Sequence, residues 1–186
     1  MSENTQNPMP AAPVQRILAA AKFASEKHAA QKRKGAAAEP YVNHLIEVAQ
    51  LAAGSSDVLD AELVMAAFLH DTIEDTGTTA KELERAFGSD ITALVLEMTD
   101  DKSLPKDVRK ELQVTNAPHK SVRTQVLKLA DKISNLRSIL ASPPADWSAE
   151  RKRQYFVWAK RVVDALPQPN PILKAEFEKT FAQFKD

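Results

Sequence analysis

An apolar run, Leu63-Val64-Met65-Ala66-Ala67-Phe68-Leu69, passes without a break into His70-Asp71-Thr72-Ile73-Glu74-Asp75-Thr76. Seven apolar residues with no Gly or Pro among them read as a buried helix. Three carboxylates and an imidazole at the end of such a helix need a cation, basic partners or water, because burying one carboxylate unpaired costs several kcal/mol. On a helix His70 and Asp71 point about 100° apart and still reach one ion at its end. His70/Glu74 and Asp71/Asp75 are i,i+4 pairs, each second residue one turn beyond the first. A solvated acidic helix end has the same local pattern, so the remainder of the chain has to decide between the two readings.

That remainder points to an all-α protein. Only 4 of 186 residues are Gly and 6% are aromatic, while Ala, Leu, Lys and Glu abound, a composition that favours helices over a sandwich or barrel. With no cysteine there is no disulfide framework and no thiolate metal site, so any metal is held by His and carboxylate. No apolar stretch approaches the ~20 residues of a membrane span and no signal-like segment follows the start, so a cytoplasmic protein without membrane partners is expected. The formal net charge of +0 argues against a general affinity for nucleic acid. Anion binding has to come from a local cluster.

Residues 1–12 are polar and Pro/Ala-rich and are expected to form a disordered tail, with residues 13–186 as one domain. Val14, Ile17, Leu18, Ala21 and Ala24 repeat at helical spacing to about His28. Gln31-Lys32-Arg33-Lys34-Gly35 reads as a basic, mobile connection. Pro40 is placed to open a second helix, Asp57 to cap the third, and Thr79 with Glu82 to form a capping box for a helix stopping at Gly88. Ser89 is a candidate cap, Pro105 opens another helix, and a long helix from about Ser121 stops before Pro143-Pro144. Ser148 can cap the next, and Pro167, Pro169 and Pro171 precede a short last helix.

Two further groups complete a constellation. His44 lies in Tyr41-Val42-Asn43-His44, and Asp131 lies in Lys128-Leu129-Ala130-Asp131-Lys132-Ile133-Ser134-Asn135-Leu136, close to an apolar face where a carboxylate needs a partner. The order His…His-Asp…Asp supplies two imidazoles and two carboxylates from three helices. Such a mixed set suits Mn²⁺, Fe²⁺ or Zn²⁺ with positions left open for water and substrate.

With His28-Ala29-Ala30-Gln31-Lys32-Arg33-Lys34, Pro40-Tyr41-Val42-Asn43-His44, His70-Asp71-Thr72-Ile73-Glu74-Asp75-Thr76, Thr99-Asp100-Asp101-Lys102 and the Asp131 segment, the sequence resembles the HD-domain metal phosphohydrolases. More narrowly it resembles the small alarmone hydrolases, stand-alone relatives of the hydrolase half of RelA/SpoT proteins, of the metazoan SpoT-homologue type. The match covers about residues 14–184. Leu45 departs from the Pro that commonly follows the metal-binding histidine in that family, but leucine continues a helix without difficulty.

The resemblance implies a compact HD-domain bundle of about nine or ten helices with a metal site in a central cleft. It implies Mn²⁺-dependent hydrolysis of the 3′-pyrophosphate of (p)ppGpp to GDP or GTP and pyrophosphate, lowering the stringent-response alarmone, with Zn²⁺ or Fe²⁺ as alternative metals. The ligands fall on His44, His70, Asp71 and Asp131, and Glu74 and Asp75 match the acidic pair that orients and deprotonates the attacking water. Arg33 and Lys34 match nucleotide-holding positions, Asn135 a ribose or phosphate contact, and Lys106, Arg151 and Tyr155 phosphate or base contacts. His28 is expected to be structural and His119 solvent-exposed.

Three rivals remain at this stage. One keeps the chemistry on another ribose-phosphorylated nucleotide, bearing a 2′- or 3′-phosphate. Another is a non-catalytic alarmone-binding protein, which has no need of Glu74 and Asp75. The third is a helical interaction module without metal. A combined synthetase and hydrolase is not expected, since no residues remain for a second catalytic domain. Oligomeric state is not legible.

Overall fold

The computed structural model describes residues 12–185, so residues 1–11 of the expected tail lie outside them. Ten α-helices and one short 3₁₀ turn account for the regular structure among these residues, with no strand beyond a single isolated bridge. They are α1 (Pro13–Lys27), α2 (Val42–Ala53), α3 (Ala61–Leu69), α4 (Thr72–Thr76), α5 (Ala80–Phe87), α6 (Ser89–Met98), α7 (Lys106–Thr115), α8 (Val122–Ala141), α9 (Ala149–Asp164) and α10 (Pro171–Phe181). The all-α expectation holds. None of these helices is long and apolar enough to cross a membrane.

Helix α8 is the spine. It packs against α2, α3, α6, α9 and α10, and every residue from Thr124 to Ser134 is buried. A helix enclosed on all sides forces its polar residues to find internal partners. Lys128, Asp131, Lys132 and Ser134 are therefore positioned by bonds to neighbouring helices or to one another, and Gln125 by bonds to the backbone of Lys120 and Gln168 in the adjoining loops. Helix α3, with Leu63 to Ala67 and Leu69 buried, packs between α1, α2 and α6.

Several ends obey local chemistry. Ser121, Ser148 and Asn170 accept backbone N–H bonds at the starts of α8, α9 and α10, and Thr79 does so for α5, leaving fewer orphan donors. Gly88, at φ 95°, closes α5. Three expected signals fail. The cap of α3 is Asp60, whose carboxylate accepts from Leu63 N–H at 3.0 Å, while Asp57 lies further out in the exposed loop. Ser89 is already the first residue of α6 and makes no cap bond. Pro40 does not open α2, which starts at Val42; it pairs instead with Lys32 in the isolated bridge.

That bridge also overturns the expected mobile connection. Gln31 C=O accepts from Tyr41 N–H at 3.0 Å and Glu39 C=O from Arg33 N–H at 2.8 Å, closing residues 31–41 into a hairpin-like loop. Its tip is bound to the end of α8, where Ser142 Oγ accepts from Ala37 N–H at 2.9 Å. Gly35 permits this approach, since a Cβ there would sit 2.2 Å from the Ser142 carbonyl oxygen. The loop thereby holds Arg33 and Lys34 over the cleft.

Candidate metal centre and cleft

Helix α3 stops where its side chains begin to serve the site. The His70 ring bonds through Nδ1 to Ala67 C=O at 2.8 Å, and the Thr72 hydroxyl donates to Leu69 C=O at 2.7 Å. These bonds take up carbonyls of the last turn, so the chain turns at His70-Asp71 and re-enters α4. The helix expected to continue through Glu74 is interrupted. Asp71 and Asp75 remain one turn apart, joined by the Asp75 N–H to Asp71 C=O bond at 2.8 Å. Gly77, at φ 73°, ends α4 in the left-handed region.

With Nδ1 carrying the hydrogen, His70 Nε2 presents a lone pair. It is buried with no hydrogen-bond partner, 3.1 Å from Asp71 Oδ2 and 3.9 Å from Asp131 Oδ1. His44 Nε2 faces the same point from α2, 3.5 Å from Asp71 Oδ2 and 3.4 Å from Asp131 Oδ1. Donor atoms of His44, His70 and Asp131 lie within 4.8 Å of one another, and Asp71 joins them through its short distances to both imidazoles. An orphan imidazole lone pair in front of two carboxylates is the environment a divalent cation satisfies, so the donor set fits such an ion. Without one, burial opposes charge on His70, but Asp71 and Asp131 outweigh it and push its pKa up to about 9. Burial likewise opposes ionisation of Asp71 and Asp131, yet both stay well below the usual carboxylate range. His70 and His44 hold Asp71 there, while Lys132 and the two imidazoles hold Asp131.

Both carboxylates of this candidate donor set are held from behind. The Tyr41 hydroxyl donates to Asp71 Oδ2 at 2.6 Å. Asn135 donates to Asp131 Oδ1 at 2.6 Å and Lys132 to Asp131 Oδ2 at 3.0 Å. Lys132 is itself buried, its ammonium 4.4 Å from the Trp158 ring centroid.

Glu74 and Asp75 stand beside the cluster. Burial raises the Glu74 pKa first, Asp100 N–H (3.1 Å to Oε2) works against the rise, and Asp71, Asp100 and Asp75 add to it. A carboxyl so placed is suited to holding a proton. Asp75 accepts from Gln31 Nε2 at 2.8 Å and pairs with Lys102.

These groups line a cleft of about 810 Å³ whose walls carry ten Lys or Arg side chains and six carboxylates. Arg33, Lys34, Lys106, Asn135, Arg151 and Tyr155 all line it, as do His70, Asp71, Glu74, Asp75 and Asp131. His44 is buried, only 3% exposed. Burial lowers the Lys106 pKa, and the nearby Arg151, Lys34 and Arg109 lower it further, the mark of cations crowded where an anion would relieve them. Burial pushes the Tyr155 hydroxyl up to about 12 and keeps it a donor. Arg151 lies 4.7 Å over the Trp147 ring at the rim, and Arg33 lies 5.7 Å over Tyr41.

Sequence reasoning did not assign Gln31, Tyr41, Lys102, Arg109, Lys110, Lys132 or Trp158 to the site. One signal was available: Lys132 interrupts the apolar run Leu129-Ala130-…-Ile133 beside Asp131. His28 is buried and stacked on Tyr41 at 5.0 Å, consistent with a structural part, and His119 is exposed.

A family profile described as HD domain matches residues 20–160. The chain belongs to the HD-domain family. Among similar proteins, a Xenopus tropicalis protein named guanosine-3′,5′-bis(diphosphate) 3′-pyrophosphohydrolase MESH1 is 46% identical over 165 residues, 89% of this chain and 92% of the relative. The Homo sapiens protein of the same name is 45% identical over 167 residues, 90% of this chain and 93% of its own length. A solved structure described as a metazoan ortholog of SpoT that hydrolyzes ppGpp superposes with a TM-score of 0.87 at 42% identity, covering 95% of this chain and 98% of that one.

Proposed function

We propose that this chain is a guanosine-3′,5′-bis(diphosphate) 3′-pyrophosphohydrolase, with residues 13–186 as one hydrolase domain. The observation that carries the reading is the orphan lone pair of His70 Nε2, set among Asp71, Asp131 and His44 on the floor of a cation-rich cleft. The names of relatives at 42–46% identity support it. His44, His70, Asp71 and Asp131 hold a divalent cation, which we take to be Mn²⁺, with Zn²⁺ or Fe²⁺ as alternatives compatible with the nitrogen and oxygen donors. When bound, that ion neutralises charge on phosphoryl oxygens and lowers the pKa of water.

The chain's own groups do the rest. Arg33 and Lys34, presented by the closed loop, bind the nucleotide, Arg33 by stacking its guanidinium on the base. Lys106, Arg151 and Tyr155 receive the phosphates, and Asn135 contacts the ribose side. Asp75, held by Gln31 and Lys102, orients the attacking water, and Glu74 accepts its proton as the oxygen bonds to the phosphorus next to ribose O3′. The O3′–P bond breaks, O3′ takes up a proton, and pyrophosphate leaves. A sensor without chemistry has no use for a carboxyl poised like Glu74.

Purified protein incubated with ppGpp and Mn²⁺ is expected to release GDP and pyrophosphate in equal amounts. Chelation should stop the release and added Mn²⁺ restore it. Absence of pyrophosphate with Mn²⁺, Zn²⁺ and Fe²⁺ alike, while a nucleotide bearing a 2′- or 3′-monophosphate is dephosphorylated, would move the substrate assignment.

A further inference from the structure

We infer that Glu47, acting through Ser134, is a positioning residue that fixes which nitrogen of His44 is offered to the metal. The inference rests on reading His44 as a ligand, and it follows from donor and acceptor bookkeeping. Ser134 Oγ lies 2.6 Å from Glu47 Oε2 and 2.9 Å from His44 Nδ1. A carboxylate only accepts, so the single hydroxyl hydrogen of Ser134 goes to Glu47. The Ser134 oxygen is then left as acceptor toward His44, and Nδ1 must carry a hydrogen. The lone pair consequently sits on Nε2, the nitrogen facing Asp71 and Asp131.

The polarity of this chain is set at its outer end. Arg137 Nη1 donates to Glu47 Oε1 at 2.9 Å, and its Nη2 donates to Glu176 on α10. Arginine only donates, so Arg137 fixes Glu47 Oε1 as an acceptor and leaves Oε2 to accept from Ser134. Glu47 lies one turn after His44 on α2 and Ser134 lies on α8, so the relay also locks the two helices that bring His44 and Asp131 together. Bonds of this kind behind a metal-binding histidine typically change metal affinity about 10- to 100-fold.

Glu47→Gln is the discriminating variant. Arg137 demands the amide oxygen, which turns the NH₂ toward Ser134. The Ser134 hydroxyl then donates to His44 Nδ1, and the imidazole hydrogen moves to Nε2, against the metal. Expected results are a roughly 10- to 100-fold weaker Mn²⁺ or Zn²⁺ affinity by chelator competition, and exchange of the two His44 ¹⁵N resonance positions in the metal-stripped protein. Ser134→Ala, which removes the acceptor that keeps the hydrogen on Nδ1, should also weaken metal binding, and Glu176→Gln, which leaves the Arg137–Glu47 pair in place, should leave both readouts unchanged. Wild-type affinity and unshifted His44 nitrogens in folded Glu47→Gln overturn the relay. If Glu47→Gln does not fold, wild-type affinity in Ser134→Ala overturns it. His44→Ala separates the two ideas: undiminished metal binding there would remove His44 from the site itself, and the relay with it.

Discussion

Asn135 stands one turn after Asp131 on α8, and its amide nitrogen donates to Asp131 Oδ1 at 2.6 Å while its amide oxygen accepts from Arg33 Nη2 at 3.0 Å. One side chain thus couples a carboxylate of the candidate metal centre to the loop proposed to bind the nucleotide. Asn135→Ala is expected to weaken metal binding several-fold and to raise KM together, whereas Asn135→Asp, which sets a second negative charge beside Asp131, should still pair with Arg33. Metal titration and steady-state kinetics on both variants check this; an effect on KM alone would make Asn135 purely a substrate contact.

Glu74→Gln keeps the side chain's shape and its bond from Asp100 N–H but cannot accept a proton. Metal content and ppGpp binding should be retained while kcat falls by ~10²-fold or more, as expected for a lost general base. Wild-type turnover would reduce Glu74 to a helix-end charge, and loss of the metal would make it a support for the ligands instead.

Metal removal exposes the His70 proton. In the stripped protein its pKa is raised from 6.5 to about 9, so the stability it contributes is complete below pH 6.5 and is lost as pH rises through 9. Compared with His70→Gln, the stripped wild type should lose its advantage in Tm across that window. Metal affinity should rise over the same interval, because the ion displaces the proton from Nε2. Calorimetric titration in buffers of different ionisation enthalpy measures the released proton directly, and no release near pH 7 would contradict it.

Lys128 works in the opposite sense. Fully buried, with its ammonium 3.3 Å from Met98 C=O, it is lowered by burial and then by Lys132 to about 8. Below pH 8 both folded and unfolded chains are protonated and the burial penalty is complete. Between 8 and 10.5 only the unfolded chain binds the proton, so stability from this group rises with pH. Lys128→Met is expected to raise Tm at pH 7 by several degrees, with the gain shrinking above pH 8 and vanishing near 10.5.

Gly35→Ala tests the loop. The new Cβ would meet the Ser142 carbonyl oxygen at 2.2 Å, forcing the 31–41 loop off the end of α8. Arg33 and Lys34 should then bind less well, raising KM several-fold while bound metal and kcat change little. An unchanged KM would mean that the loop is not what presents these side chains.

Most helix positions could be read from the sequence because their signals are local, and the candidate set His44, His70, Asp71 and Asp131 because its motifs resemble those of the HD-domain hydrolases. Periodicity declares a buried face, a Ser or Thr two or three residues before a turn of amides declares a cap, and carboxylates beside apolar runs declare an unmet need. Tertiary structure decided what meets that need. Asp57 and Asp60 are equally good caps in isolation, and packing chose Asp60, which also pairs with Arg123 of α8. The basic segment after His28 looks mobile until Pro40 is seen beside Lys32 and Gly35 beside Ser142. The groups that orient the candidate donors are remote in sequence: Tyr41 is 30 residues from Asp71, and Ser134 is 90 from His44 and 87 from Glu47. A hydroxyl or a carboxylate has no periodic signature, and its bond exists only once two helices are packed at a given rotation. Which residues could bind a metal was therefore written along the chain, while the direction in which each donor atom points was set by the packing of α2, α3 and α8.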